Sequence, residues 1–271
     1  MIFFLEFGIW ILEFKKYMSH IWIIAKSTLR IEIRDRIIYG ILIFGLLYIL
    51  LTLFLADLVL RELPMVKSFG LVGIYFFNAI IALFLGTTSF FKDVDRKIVY
   101  FILAKPVSRR QFLLGKFLGL CLVILITSAI MAIGYLSVIA YEGGGFDYMG
   151  LVAIGMQGIE MSLFLAFAIF VSTFSSSLLS IVYTSGIFFA GHIVSQLVVD
   201  AREMGLGGWK FMLVKALYYI FPNLEKFDLR DFAIHQVPEP FMAFLFALVY
   251  AAAYVVLLLT AATWIFDKKE I

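Results

Sequence analysis

Residues 161–199 form a run of 39 residues without a charged side chain. As one α-helix this run would be about 58 Å long, because each helical residue adds about 1.5 Å. The hydrocarbon core of a bilayer is only about 30 Å thick, so the run must fold back on itself. The serine triplet at 175–177 is the best place for the bend, because its hydroxyls compete for backbone hydrogen bonds.

Further charge-free runs elsewhere in the chain reach the roughly 18–20 residues that a membrane span needs. Hydrophobic residues make up 63% of the chain and charged residues 15%, against about 45–50% and about 25% in soluble domains. We therefore expect an all-α integral membrane protein, with residues 1–271 in a single transmembrane domain. The predicted spans are about 37–56, 68–91, 117–141, 151–174, 178–199 and 241–266.

Lysine and arginine are unevenly distributed among the segments that connect these spans. Residues 1–36 carry six and residues 92–116 carry seven, whereas the segment after the first span has two and the segment after the third has none. Because basic residues favour the cytoplasmic side, both termini are predicted to lie in the cytoplasm. The five basic residues of 200–240 weigh less, since that loop is long and also acidic.

The loop of residues 200–240 is then extracytoplasmic and is predicted to be partly helical. Its aromatic stretch from Trp209 to Ile220 fits a segment that lies along the outer interface or dips into it. A plain surface loop is the alternative.

The segment before the first span has the pattern of an interfacial helix. Lys26, Arg30 and Arg34 recur every four residues beside an apolar stripe that includes Trp22. This basic face is predicted to contact lipid head groups, and the alternative is an ordinary basic flank of the first span. The apolar stretch before it is expected to be too short to span and does not have the pattern of a signal peptide. Either Met1 or Met18 fits as the start.

The cytoplasmic loop between the second and third spans is dense in charge from Lys92 to Lys97 and then apolar up to Pro106. This pattern predicts a short helix that ends before the proline. Ser108 and Gln111 are spaced as a capping box that starts the next helix. A helix held below the bilayer is suited to contact a cytoplasmic partner, although a solvated loop is the simpler alternative.

Three segments resemble permease subunits of the type-2 ABC exporter family. They are residues 104–109 with 114–117, residues 32–36 before the first span and residues 221–227 before the last. The resemblance covers essentially Met18 to the end of the chain. It implies two permeases, identical or paralogous, that pair and each receive a cytoplasmic ABC ATPase.

The resemblance also implies that the segment from Asp93 to Leu103 is the coupling helix that docks on the ATPase. The family often has glutamate where this chain has Asp93 and a small polar residue where it has Ile98. The residues expected to make the coupling contacts are Asp93, Val94, Asp95, Arg96, Lys97, Val99 and Tyr100.

The chain lacks the motifs that would let it work alone as an enzyme. The pair Gly115 and Lys116 is followed by Phe117, and Arg110 stands where a phosphate-binding loop needs glycine. We therefore expect no directly bound cofactor, with ATP and magnesium held by the partner ATPase. No basic run with interleaved aromatics indicates nucleic acid, and the single Cys121 gives no disulfide or metal motif.

Three polar residues fall at membrane depth and are candidates for a substrate path. Glu160 lies in the fourth span, where a carboxylate is costly, unless the span begins nearer Met161. His192 in the fifth span is either a ligand or a packing residue. Asn78 in the second span suits a hydrogen bond between helices better than a substrate contact.

The leading hypothesis is the permease of an ATP-driven exporter in the cytoplasmic membrane of a prokaryote. A secondary transporter is the first alternative, but it would use paired intramembrane charges and often inverted repeats. An intramembrane enzyme or assembly subunit is the second alternative, and the absent motifs argue against it.

Overall fold

A computed structural model of the protein describes residues 2–56, 58, 62–95, 107–205, 207–235 and 241–268. Every regular element among these residues is helical. The α-helices are α1 (Ile2–Ile33), α2 (Arg36–Leu55), α3 (Leu63–Asp95), α4 (Arg109–Tyr141), α5 (Tyr148–Ser172), α6 (Ser177–Glu203), α7 (Gly208–Ile220), α8 (Arg230–His235) and α9 (Phe241–Lys268).

Six of the described helices are long and apolar enough to cross a membrane, by length and composition, which agrees with the predicted number of spans. Several of them extend beyond the predicted limits, most of all α3, which starts at Leu63, and α4, which starts at Arg109. The spanning stretches are Arg36–Leu55, Leu63–Asp93, Arg109–Tyr141, Tyr148–Ser172, Ser177–Glu203 and Phe244–Lys268.

Local hydrogen bonds set the helix ends where the sequence predicts them. Ser108 accepts a bond from the Gln111 backbone N–H, and the Gln111 side chain accepts one from the Ser108 N–H, which completes the predicted capping box. The predicted bend at the serine triplet is also confirmed, because α5 ends at Ser172 and α6 begins at Ser177. Ser175 bonds back to the Val171 carbonyl, so its hydroxyl satisfies the end of α5.

Helix α5 lies at the centre of the bundle. It packs against α3, α4, α6, α8 and α9. Its side chains are buried on nearly all sides, as expected of a helix surrounded by other helices. By contrast, α2 and α9 leave many large apolar side chains exposed, which suits lipid or a protein partner.

Helix α1 packs closely along α4. Gly119 makes this approach possible, because a Cβ there would lie 2.7 Å from the Ala25 carbonyl oxygen and 2.7 Å from the Thr28 Cβ. Gly115 contacts Ile24 in the same way one turn earlier. The two glycines therefore let the backbones of α1 and α4 meet, as small residues do between membrane helices.

Replacing Gly119 by alanine should therefore destabilise the protein by about 1–3 kcal/mol, as overpacking does. Gly186→Ala is the matched control, because Gly186 has open space around its missing side chain and alanine has the better helix propensity. Equilibrium unfolding in detergent micelles with increasing SDS measures the free energy of unfolding of both variants. Equal stability of the two variants would contradict the close contact between α1 and α4.

Candidate functional site

A polar cluster lies inside the bundle, where side chains from three helices meet. Tyr75 of α3 donates a hydrogen bond from its hydroxyl to Oε1 of Glu160 on α5, at 2.7 Å. Nε2 of His192 on α6 lies 2.5 Å from the Tyr75 hydroxyl and 3.1 Å from the Glu160 Oε1. The structure thus brings together two of the three predicted path residues, Glu160 and His192, and adds Tyr75.

Glu160 is the most deeply placed member of this cluster. It lies near the middle of α5, and its side chain is 1% exposed. A carboxylate at this depth is costly unless it is hydrogen-bonded or paired. The contacts with Tyr75 and His192 provide that compensation.

The hydrogen bonds of His192 limit how protons are arranged in the cluster. Its Nδ1 lies 2.9 Å from the Phe188 carbonyl oxygen, and a carbonyl can only accept, so Nδ1 carries a proton. Nε2 either carries a second proton and donates to ionised Glu160, or accepts a hydrogen bond from Tyr75 or from protonated Glu160. The proton shared by this pair can therefore lie on His192 or on Glu160 with the same side-chain geometry.

Aromatic rings separate the cluster from the apolar surroundings. The ring of Phe188 lies 4.6 Å from the His192 ring and 6.1 Å from the Tyr75 ring, between centroids. Phe164 of α5 closes the other side of Phe188, at 4.9 Å. The polar side chains of Tyr75 and His192 are thus packed against aromatic rings on this side of the cluster.

The segment of residues 221–235, which follows α7, covers the cluster. It contains a 3-10 turn, Glu225–Phe227, followed by α8, and these elements pack against α3, α5 and α6. The Leu224 N–H donates to the Gly191 carbonyl at 3.2 Å. A Cβ on Gly191 would lie only 2.7 Å from the Pro222 carbonyl oxygen, so a larger residue would push this covering segment away.

The covering segment, defined here as residues 221–235, brings an ion pair to the cluster. Arg230 donates from Nε to Asp228 at 2.7 Å and also from Nη2, and its guanidinium lies 5.2 Å from the centre of the Tyr75 ring. Burial alone would raise the pKa of Asp228, but the hydrogen bonds and charge of Arg230 outweigh it and lower that pKa. The hydrogen bond with Asp228 raises the pKa of Arg230, so a cation sits above Tyr75.

Asn78 belongs to a separate contact between α3 and α4. Its side-chain amide donates to the Ser128 hydroxyl at 2.9 Å and accepts from the Thr127 hydroxyl at 3.4 Å. This geometry is that of a hydrogen bond between helices, the role that the sequence favoured for Asn78. Its place on a substrate path stays a prediction.

Other charged side chains join helices at the two ends of the bundle. Asp93 at the end of α3 is buried and accepts a hydrogen bond from Lys116 of α4. Lys67 pairs with Asp147 at 3.0 Å near the opposite end of α3, and both side chains are buried. Breaking such a pair leaves an uncompensated buried charge, so both pairs hold the ends of the bundle together.

The predicted coupling residues are only partly within the described chain. Val94 and Asp95 form the last two residues of α3, so the predicted coupling helix begins as a continuation of the second span. Arg96, Lys97, Val99 and Tyr100 lie outside the described residues. The docking role of all seven residues stays a prediction, and the carboxylate of Asp93 already has an internal partner.

Three of the four predicted interfacial residues lie on the outer face of α1, and Arg34 lies in the turn that follows it. Trp22, Lys26, Arg30 and Arg34 are all exposed, while Ile21, Ile24 and Ala25 of the same helix are buried. This division matches the amphipathic pattern of the sequence. Contact of the basic face with lipid stays a prediction.

Among the described residues, no three histidine, cysteine or acidic side chains converge closely enough to hold a metal ion.

The sequence model of the family described as ABC-2 family transporter protein matches residues 22–271. The chain belongs to this ABC-2 transporter family. No curated protein matches the sequence significantly. Membership identifies the chain as a membrane transport subunit of the ABC-2 type, in agreement with the resemblance seen in the sequence.

Sequence reasoning missed Tyr75, Asp228 and Arg230 in this ABC-2 protein. Tyrosine is common in membrane helices and its hydroxyl gives no sign of a partner 85 residues away. Asp228 and Arg230 lie in a loop with charges of both signs, which is typical of an exposed segment. Glu160, whose carboxylate needs partners, and His192 were the two members of this site that the sequence indicated.

The hydrogen bond between Tyr75 and Glu160 should appear as an energetic coupling. In a double-mutant cycle of Tyr75→Phe with Glu160→Gln, we expect a coupling free energy of about 0.5–2 kcal/mol, since measured pairs between membrane helices average about 0.6. The coupling free energy is measured by SDS unfolding, in micelles, of the unaltered protein, the two single variants and the double variant.

The matched control is Tyr135→Phe with Glu160→Gln. Tyr135 donates to Asp147, which pairs with Lys67 two turns from Tyr75 on α3, and sites this far apart are usually additive. Coupling of equal size in both cycles would mean that the effect is not specific to the cluster.

Proposed function

We propose that this ABC-2 family member is the permease subunit of an ATP-driven exporter in the cytoplasmic membrane of a prokaryote. The observation that carries the proposal is the family match over residues 22–271, in a chain whose apolar spans enclose a covered polar cluster. A transport subunit needs polar groups at membrane depth together with an element that can cover and uncover them. Glu160, Tyr75 and His192 are those groups, and the covering segment is that element.

The proposed orientation has both termini in the cytoplasm. It rests on the basic residues before the first span and between the second and third spans. The Lys67–Asp147 pair and the covering segment then lie toward the extracytoplasmic side, and the Lys116–Asp93 pair lies toward the cytoplasmic side. The covering segment would open outward, which is the direction that export requires.

The proposed energy source is a cytoplasmic ABC ATPase that binds ATP and magnesium. The chain has no phosphate-binding loop of its own. Two permeases, identical or paralogous, pair in the membrane, and each contacts one ATPase through the segment from Asp93 to Leu103. ATP binding then moves α3 and α4, to which this segment is joined, and substrate passes by alternating access.

The orientation can be tested by labelling introduced cysteines in intact cells. In a Cys121→Ser background, Phe146→Cys should react with a membrane-impermeant maleimide, because Phe146 is 74% exposed in the segment after α4. Arg110→Cys, also exposed, should react only after permeabilisation. Labelling of Arg110→Cys from outside would contradict the orientation.

The coupling segment can be tested without disturbing the buried Asp93. The double charge reversal Asp95→Lys with Arg96→Glu should reduce copurification of the ATPase about tenfold or more, since like charges placed across an interface cost several kcal/mol. The quantity to measure is the ATPase recovered per permease in mild detergent.

The matched control for that test is Glu203→Lys with Lys210→Glu, at the opposite end of the molecule. Both residues are exposed, and this reversal should leave ATPase recovery unchanged. Normal recovery with the Asp95 and Arg96 variant would contradict the coupling assignment, and equal loss with both variants would indicate a general folding defect.

A further inference from the structure

A cavity of about 450 Å³ lies between α6, α7 and the start of the covering segment. Helix α6 lines it with Ser195, Val198, Val199 and Arg202, which recur at the spacing of one helix face. Helix α7 lines it with Phe211, Lys215, Tyr218 and Tyr219 on one face. The volume lies within the range of small-molecule sites, so it can admit a polar head group.

The charge around the cavity is predominantly positive. Arg202, Lys215 and Lys226 line it together with one carboxylate, Glu225. Lys226 is held in place, because its ammonium group lies 4.4 Å from the centre of the Tyr250 ring. Cations from three separate segments therefore face one space, and an anion there would be attracted by all of them.

Two buried polar atoms beside the cavity have no hydrogen-bond partner in the described part of the chain. They are the Ser195 Oγ and the Asn223 Oδ1. Asn223 is 8% exposed, and its backbone N–H is already used by the Tyr250 hydroxyl at 2.9 Å. Buried polar groups are normally satisfied, so these two atoms indicate a missing ligand or solvent.

The side chain of Asn223 can present donors to the cavity. Its amide nitrogen lies 3.5 Å from the Tyr218 hydroxyl, and the two ends of an amide are assigned only from their partners. In the reversed orientation the oxygen accepts from Tyr218 and the NH₂ group faces the cavity. With the Ser195 hydroxyl this gives two buried donors, next to cations that form charge-assisted bonds with an oxyanion.

The remaining lining is apolar or aromatic, through Val198, Val199 and Phe211. Exposed Met212 and Leu213 follow on α7, and Trp209 is at its start. Aromatic and apolar residues beside cations are typical of a helix at the membrane surface. A phosphate carried on a lipid would satisfy both the charged and the apolar parts of this site.

We propose that this cavity binds the phosphate group of an anionic lipid. The oxyanion lies between Arg202, Lys215 and Lys226 and accepts hydrogen bonds from Ser195 and Asn223, while the glycerol and acyl chains follow the apolar side of α7. The site is separate from the polar cluster of Tyr75, Glu160 and His192. It depends neither on the direction of transport nor on the ATPase.

Native mass spectrometry of the full-length protein in detergent tests the site. The protein is incubated with phosphatidylglycerol and phosphatidylcholine of identical acyl chains, and phosphatidylglycerol should be retained preferentially. Arg202→Gln with Lys215→Gln should weaken its binding about 30-fold, because each cation contributes about fivefold near a membrane surface. Arg202→Lys with Lys215→Arg should retain most of the binding.

Two single variants separate the site from general charge and folding effects. Lys210→Gln removes a lysine of α7 that does not line the cavity, and it should leave lipid binding unchanged. Ser195→Ala keeps the charge but removes a buried donor, and it should weaken binding severalfold, as loss of a hydrogen bond to a charged group does.

Two results would overturn the proposal. One is equal retention of the two lipids by the unaltered protein. The other is equal binding of phosphatidylglycerol by the unaltered protein and the Arg202→Gln, Lys215→Gln variant. Inorganic phosphate tests whether the bound oxyanion is carried on a lipid. Phosphate at the same concentration as the lipid should not displace phosphatidylglycerol, because the lipid also contacts the apolar lining. Displacement at that concentration would contradict the lipid assignment.

Discussion

The buried carboxylate of Glu160 is the constraint around which the rest of the bundle is arranged. It lies on α5, the helix that packs against most of the others, and in that position it needs hydrogen-bond partners from neighbouring helices. Tyr75 and His192 provide them, so α3 and α6 must present these side chains to α5. The need to pair this one carboxylate therefore fixes how α3, α5 and α6 are rotated about their own axes.

A polar segment is packed into the bundle beside the cluster. Residues 221–235 could remain in water, yet Leu224, Phe227 and Leu229 are buried. Gly191 makes this possible, because its missing side chain leaves room for the chain from Pro222 to Leu224. The segment is held by a few backbone bonds and apolar contacts rather than by a continuous helix, which suits an element that opens and closes.

Local rules in the sequence predicted the spans, the break at 175–177 and the cap at Ser108, because run length, serine chemistry and capping depend on neighbouring residues. They did not predict which polar groups meet, since that depends on how each helix is rotated. Glu160 and His192 were recognised separately, whereas Tyr75 gave no signal. Asp93 shows the same limit, because nothing in the sequence indicated its salt bridge with Lys116. The docking role that the family resemblance implies for Asp93 stays a prediction.

Hydrogen exchange of the assembled complex tests most directly whether ATP use by the proposed ATPase uncovers the polar cluster. The backbone N–H groups of Asn223, Leu224 and Phe227 are hydrogen-bonded in the covered state and should exchange slowly without nucleotide. During ATP turnover their exchange should accelerate, while amides of α4 around Gly119 stay protected. Unchanged protection of residues 221–235 throughout turnover would contradict the account.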